Sequence, residues 1–445
     1  MMSNFTKRTG RTFLGISSFQ ALAMFRRGLF YTYLSIYLRF FLHLSVTETT
    51  FFATFPMILN VVFQTFVWGG ISDKYQKRKT LIIVGEISAA LSTLFVWFLH
   101  TLPTNPHTTG YVIILGFSFV EIFWSMSNVG WTAIISDLYP EHQRAGVQGK
   151  LSSIGALGRI VGVWIGGLAY DGISMYYEGW GFQKGLLFFI ASGVMIISTI
   201  PMLFVPEGGV TGQGKEEDRS MADESFQGCK EIVSYSKPFL VFLLAMVLIN
   251  FGRNSVATIK AQYLVLDEGF NVSSRLLSYI VNIGSAAILI MGLLIGKISR
   301  RLNDAALLLC GALTAIVSLL GFGLAKGLTA IFVYNFLSGA SEVVILASSY
   351  SYVSKLIPPD HRGRQFALFN ASYFLSWGVG ATLMAGPIVD LLIRSGFTQF
   401  FSYRMSFLAA AILVVMGMLL FFFANQTERG CSRVVSGPHT MKGDN

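Results

Sequence analysis

The chain has 445 residues, 53% of them hydrophobic and only 13% charged, and its mean hydropathy is +0.60. That is more apolar surface than a soluble fold can hide, so the composition excludes an ordinary cytosolic protein and places the chain in a bilayer. The formal net charge is +10, but no separate basic domain carries it, which argues against nucleic acid as a partner.

Apolar runs of about 18 to 25 residues, each enough for a helix to cross roughly 30 Å of hydrocarbon, recur twelve times. They cover about 13–38, 48–70, 80–100, 110–136, 150–170, 184–205, 238–264, 276–297, 304–324, 328–354, 366–392 and 403–424. Their continuity predicts helices; barrel strands would be about ten residues of alternating polarity, and a helix bonds its own backbone in lipid. The first run is too long for a signal-peptide core, carries Arg26 and Arg27 in its middle and lacks a small-residue cleavage site, so it reads as a retained helix. The fold class is an all-α membrane protein with twelve transmembrane helices. Cys229, Cys310 and Cys431 are scattered, with no metal spacing and no disulfide framework. No nucleophile and base pair or phosphate loop accompanies them, so neither an enzyme nor a cofactor is expected.

Twelve helices make the loops alternate sides. With a cytoplasmic amino terminus, twenty-two lysines and arginines fall on the inner side, six on the outer side and five inside helices. This bias follows the positive-inside rule and predicts both termini in the cytoplasm of a plasma (inner) membrane. Residues 206–237, rich in Gly, Ser and charge, divide the chain near its middle and read as a flexible cytoplasmic linker between a bundle at 1–205 and a bundle with a tail at 238–445.

The two halves repeat. SDLYPEHQRAG at 136–146 and SKLIPPDHRGR at 354–364 share Ser, Leu, Pro and Arg in register, with Pro140 and Pro358, and Arg144 and Arg362, each 218 residues apart. FRRGLFYTYLSIYL at 25–38 aligns with FGRNSVATIKAQYL at 251–264, pairing Arg27 with Arg253, Thr32 with Thr258 and Tyr37 with Tyr263. A duplicated six-helix unit inserted twice in the same sense accounts for these landmarks.

Between the second and third runs lies GGISDKYQKRK, residues 69–79. Its Gly-x-x-x-Asp-Lys-x-Gln-Lys-Arg resembles the loop motif between helices 2 and 3 of the major facilitator superfamily, with Gln76 where a glycine is usual. The resemblance spans the whole chain, and it implies two pseudo-symmetric six-helix bundles working by alternating access. It also implies a latch: the counterpart of Asp73 meets basic groups and helix ends of its own half in one state and releases them in the other. A carboxylate at a helix N-terminus is worth about 0.3 to 2 kcal/mol, a scale suited to a reversible contact. The expected cytoplasmic gate comprises Gly69, Asp73, Lys74, Arg78, Glu86, Arg144 and Arg362; the lysines equally serve as topology anchors.

A charge in mid-helix costs roughly 2.5 to 3.5 kcal/mol on insertion scales, which marks it as a functional candidate. Helical spacing sorts these charges into stripes: Gln20, Arg27 and Tyr31 on the first helix, Glu121, Ser125, Asn128 and Thr132 on the fourth, Asn250, Arg253 and Lys260 on the seventh, and Asn335, Ser338, Glu342 and Ser349 on the tenth. These are the four helices that line the central cavity in the superfamily. Arginine forks suit carboxylate or phosphate, and Arg27 and Arg253 resemble the paired arginines of the organophosphate/phosphate antiporters. Gln20, Arg27, Tyr31, Asn128, Asn250, Arg253, Lys260 and Asn335 are therefore the expected substrate-binding residues. The alternative is internal pairing, Arg27 with Glu121 and Arg253 or Lys260 with Glu342. Glu121 and Glu342 are the candidates for proton coupling, since a carboxylate moved between burial and a neighbouring arginine changes its proton affinity. Arg159 has no evident partner.

The fifth helix carries Gly149, Gly158, Gly162, Gly166 and Gly167, which resembles a motif of proton-coupled antiporters, with Val163 where proline is expected; small residues at this spacing also simply allow close helix packing. The reading is a monomeric secondary transporter of a small organic solute, with an anion preferred over a neutral or cationic one and protons as the candidate coupling ion. A proton-coupled exporter of hydrophobic or cationic compounds is the second reading, and a transporter-like sensor or scaffold the third.

Overall fold

Local signals set where the helices begin. The computed structural model describes residues 2–139, 141–171, 180–208, 236–357 and 362–435. Its long helices are α1 (Met2–Ile36), α2 (Val46–Phe63, extended by Gly69–Tyr75), α3 (Arg78–His100), α4 (Pro106–Leu138), α5 (Glu141–Asp171) and α6 (Leu186–Leu203). The second series is α7 (Lys237–Ser255, resumed at Lys260–Val265), α8 (Ser274–Ile298), α9 (Asp304–Leu324), α10 (Leu328–Leu356), α11 (Arg362–Gly380, extended by Gly386–Arg394) and α12 (Gln399–Val435). Ser45 and Glu48 close a reciprocal capping box at the start of α2, and Ser236, Ser273 and Asn303 cap α7, α8 and α9 through side-chain oxygens. Each cap satisfies a backbone N–H that the helix cannot.

Among the described residues, 11 helices are long and apolar enough to cross a membrane. The twelfth is α1, whose paired arginines and polar start lower its hydropathy. Single π-helical turns interrupt or end the cavity-side helices at Tyr37–Phe41, Gln64–Trp68 and Ala381–Ala385, and α7 breaks between Ser255 and Lys260. Such interruptions free backbone groups and bend a helix; of the three turns, Ala381–Ala385 packs against α2 of the other half.

The first six helices pack on one another, as do the last six, and the halves touch through α2 with α11, α5 with α8, and α1 with the resumed part of α7. The tightest pairing is α1 with α5. A Cβ on Gly158 would sit 2.1 Å from the Ala21 carbonyl oxygen, and one on Gly162 would sit 2.0 Å from that of Phe25, so the glycine stripe is packing surface, with Val163 buried at its centre. The repeat is visible in the core as well. Tyr37 stacks on Phe182 at 5.1 Å, and Tyr263, its counterpart, stacks on Phe400 at 5.2 Å.

Hydrogen bonds between the halves cluster from the middle of the molecule toward the end distal to the chain termini. Asp390 of α11 accepts from the Val46 and Thr47 amides at 3.0 and 2.7 Å, capping α2 from across the interface. Thr382 bridges Thr50 and Thr54 at 2.8 and 2.6 Å. Gln262 donates to the Ser35 carbonyl at 3.2 Å and to Thr49 at 2.9 Å, and accepts from Tyr403 at 2.7 Å. Ser274 donates to the Gly167 carbonyl, and Asn282 to that of Ile160, each at 3.0 Å. Gly378 and Gly386 let α11 run against α2 here, since a Cβ on either would come within 2.7 Å of α2 backbone. At the other end, Leu293 of α8 is 68% exposed and nothing lies within 4 Å of a Cβ placed on Gly292 or Gly296. Among the described residues, the contacts between the halves are thus concentrated from the middle of the molecule to its distal end.

Candidate substrate-translocation site

The adjacent arginines of α1 point to different places, as successive residues on a helix must. Arg26 turns into the first half: its Nη1 lies 2.6 Å from a Glu86 carboxylate oxygen, with both side chains almost fully buried. Ser127 of α4 donates to the other Glu86 oxygen at 2.9 Å, and the Trp124 ring covers the guanidinium at 4.2 Å. Glu86 therefore does not join the loop gate expected for it; it neutralises a buried arginine whose desolvation would otherwise be prohibitive.

Arg27 is exposed and forms no ion pair or hydrogen bond among the described residues. Its charge acts on Glu121 and Tyr31, which places it beside the face that α1 and α4 present to the opening. Glu121 is half-buried and accepts a 2.6 Å hydrogen bond from Asn60 of α2. The Arg27–Glu121 contact considered as an alternative does not form. Tyr31 lies 6.1 Å from both Phe52 and Trp124, giving this wall an aromatic side. Gln20 is half-buried, against the position a Cβ on Gly155 would take, 3.1 Å from its Nε2. Asn128 is half-buried on α4, while Ser125 is fully buried and spends its hydroxyl on the Ile122 carbonyl.

In the second half Arg253 is paired: its Nη1 stands 3.5 Å from Glu342, whose side chain is 27% exposed. Tyr373 lies under the guanidinium at 5.9 Å. Lys260, expected in the central path, instead points into the second half. Its Nζ donates to Asn335 at 3.2 Å and Ser338 at 3.4 Å and sits 4.9 Å from the Phe322 ring. Asn335 is buried and donates to the Ile280 carbonyl at 2.5 Å, and Asn250 is 1% exposed. Asn335 and Lys260 therefore turn toward α8 and α9, and Asn250 is buried.

The charged loop is organised by Arg78. This buried residue donates to the Ser72 carbonyl and hydroxyl, to Gln76 at 3.1 Å and to Asp137 at the end of α4 at 3.3 Å. Gln76 ends α2 with φ of 55°, the left-handed conformation that favours glycine, which is why glycine is the usual residue there. Gly69 follows the π-helical turn of α2, and Lys74 is exposed. The side chains of Asp73, Arg144 and Arg362 lie outside the described residues. Thr80 and the Lys79 amide bind Glu207 beyond α6, closing this corner of the first half. Sequence reasoning missed Asn60, Asp390 and Gln262. Of these, only Asp390, an acid in an apolar run, carries a signal the charge inventory would have caught.

Two packed sets of six helices, with ionisable side chains set in apolar segments, define a polytopic membrane protein. The model of the Major Facilitator Superfamily matches residues 16–381, and the chain belongs to that family, whose members are transporters and not enzymes. It is 21% identical over 353 residues to the multidrug resistance protein MdtG of Enterobacter lignolyticus, covering 78% of this chain and 75% of that one. It is 22% identical over 358 residues to the multi-drug resistance efflux pump PmrA of Streptococcus pneumoniae, covering 79% and 80%. Among solved structures it resembles an inward-facing, unoccupied bacterial homolog of the human lysosomal transporter Spinster, with a TM-score of 0.68 and 17% identity over 94% of this chain and 97% of that one. The nucleoside transporter NupG matches with a TM-score of 0.68 and 14% identity over 92% and 99%.

Proposed function

We propose that the protein is a secondary transporter that moves a small organic solute bearing an anionic group by alternating access, with Arg27 as the primary contact for that group. One observation carries the reading: among the described residues, Arg27 is an exposed guanidinium in mid-helix that makes no ion pair or hydrogen bond, whereas Arg26 and Arg253 are answered by Glu86 and Glu342. A permanent charge that makes no direct ion pair and whose field reaches Glu121 among the described carboxylates is suited to a ligand that supplies a contact. Tyr31, one turn further along α1, lies within its field. Glu121, fixed by Asn60, is the proposed proton-coupling carboxylate, and the half-buried Glu342 is its counterpart in the second half.

Positive-inside charge supports cytoplasmic termini, so the conformation described is inward-open. The proposed units are 1–205 and 238–445, joined by the segment 206–237, and the two rock about the midplane. The second reading, export of hydrophobic or cationic compounds, is favoured by the efflux relatives and by the two carboxylates that reach the opening.

Thermal unfolding of the purified protein against phosphorylated compounds, carboxylates and lipophilic cations separates these readings. A ligand at 100 times its Kd stabilises by about 2.7 kcal/mol. Shifts with organic anions that vanish in Arg27→Ala are expected; shifts with lipophilic cations alone would transfer the assignment to efflux.

A further inference from the structure

The second half holds a small, largely enclosed cavity apart from the opening between the halves. Every residue in its wall belongs to α7, α9, α10 or α12, and the polar ones are Arg253, Lys260, Ser318, Ser338 and Ser341, with Phe322 and Phe407 closing its sides. The cavity admits one small species.

The charges around it do not balance. Arg253 is 8% exposed and uses Nη1 on Glu342, but its Nε and Nη2 are buried with no hydrogen-bond partner. Lys260 meets only two neutral oxygens, those of Asn335 and Ser338, so an ammonium with three donors has one unspent and no carboxylate in contact. Arg159 of α5 adds a further positive field at Lys260. Among the described residues Glu342 is the acid whose field reaches Lys260, and its side chain is 27% exposed. The hydroxyls of Ser318 and Ser341 are committed to the Tyr334 and Ser338 carbonyls, so the donors left in the wall are the two cations and the Ser338 hydroxyl, which accepts from Lys260. A buried excess of cations in a membrane protein is costly, and a neutral water would solvate it without cancelling it.

We propose that this cavity is a binding site for one monovalent inorganic anion of the chloride class, held between the Lys260 ammonium and the unspent nitrogens of Arg253. Phosphate and organic carboxylates exceed the space, so the site is distinct from the substrate path and does not rest on the transport reading. Lys260 begins the resumed segment of α7, and two residues later Gln262 grips the first half. Anion occupancy therefore steadies the segment that closes the distal end.

The test compares thermal unfolding of the purified full-length protein in sodium chloride and in sodium gluconate at equal ionic strength, followed by bromide soaking of crystals. The expected result is a saturable rise in unfolding temperature with chloride that persists in Arg27→Ala, persists in Lys260→Arg and is lost in Lys260→Gln, which keeps a donor to Asn335 without the charge. Anomalous bromide density between Lys260 and Arg253 is expected independently of any variant. Equal unfolding in both salts with no bromide at the cavity would show that it holds water alone and would overturn the proposal. A chloride effect lost in Arg27→Ala but kept in Lys260→Gln would also overturn it, by placing the anion in the open cavity.

Discussion

The two halves treat equivalent positions differently. Tyr37 and Tyr263 are both buried and stacked on repeat-related phenylalanines, yet Arg27 is exposed while Arg253, its counterpart, is buried against Glu342. The first half spends an additional pair, Arg26 with Glu86, to stabilise its interior; the second uses its one aligned arginine for the same purpose. A duplicated scaffold keeps its packing because every core contact depends on volume. Its charges are free to diverge, because each needs only a counter-ion from some nearby helix.

Breaking the interior pair should produce the largest effect. Arg26→Ala strands the Glu86 carboxylate and should cost about 3 to 5 kcal/mol, seen as a collapse of unfolding temperature or of folded yield in detergent. Arg26→Met combined with Glu86→Leu should recover most of the loss. Arg253→Ala should cost less, because Glu342 is 27% exposed and can be solvated from the opening. Equal losses at the two sites would break the comparison.

Function sharpens it next. Arg27→Ala should leave unfolding nearly unchanged and weaken binding of an organic anion by about 1.5 to 3 kcal/mol, the scale of a charged hydrogen bond, measured as ligand affinity. Under the proposed coupling, Glu121→Gln should abolish uphill accumulation in proteoliposomes while sparing exchange. Proton-driven uptake that survives it would remove Glu121 from that role.

Smaller effects are expected at the two ends of α2. Asp390→Asn removes the charge that caps α2 from the other half, worth about 0.5 to 2 kcal/mol, so the distally open population should rise by roughly two- to thirtyfold. Spin-label distances across that end report it. Gln76→Gly relieves a left-handed side chain but gives up its bond to Arg78, so a gain below about 1 kcal/mol is expected in thermal unfolding.

Much of the architecture was legible in the order of residues. The helix count, the repeat, the glycine packing face and the polar stripes follow from period and length, which a helix in lipid obeys almost without choice. The charged loop at 69–79 was legible as a motif, and among its described side chains Arg78 makes the hydrogen bonds that order it. The internal Arg253–Glu342 pair was foreseen as one of two readings, whereas Arg27–Glu121 was not realised because Asn60 supplies the carboxylate's partner.

Sequence alone therefore determined a twelve-helix membrane protein with ionisable groups set in its apolar segments, since hydrophobic length and mid-helix charge are local properties, and the resemblance of its loop motif added the transporter family. Which of those groups face the opening was decided by tertiary structure. Helix rotation sent Arg26 and Lys260 into the two bundles and left Arg27 outside, and hydrogen bonds from residues hundreds of positions apart, such as Asp390 to Val46 and Thr47, fixed the closed end. Partner choice in a low-dielectric interior depends on distances of a few ångströms between helices, which no spacing along one helix encodes.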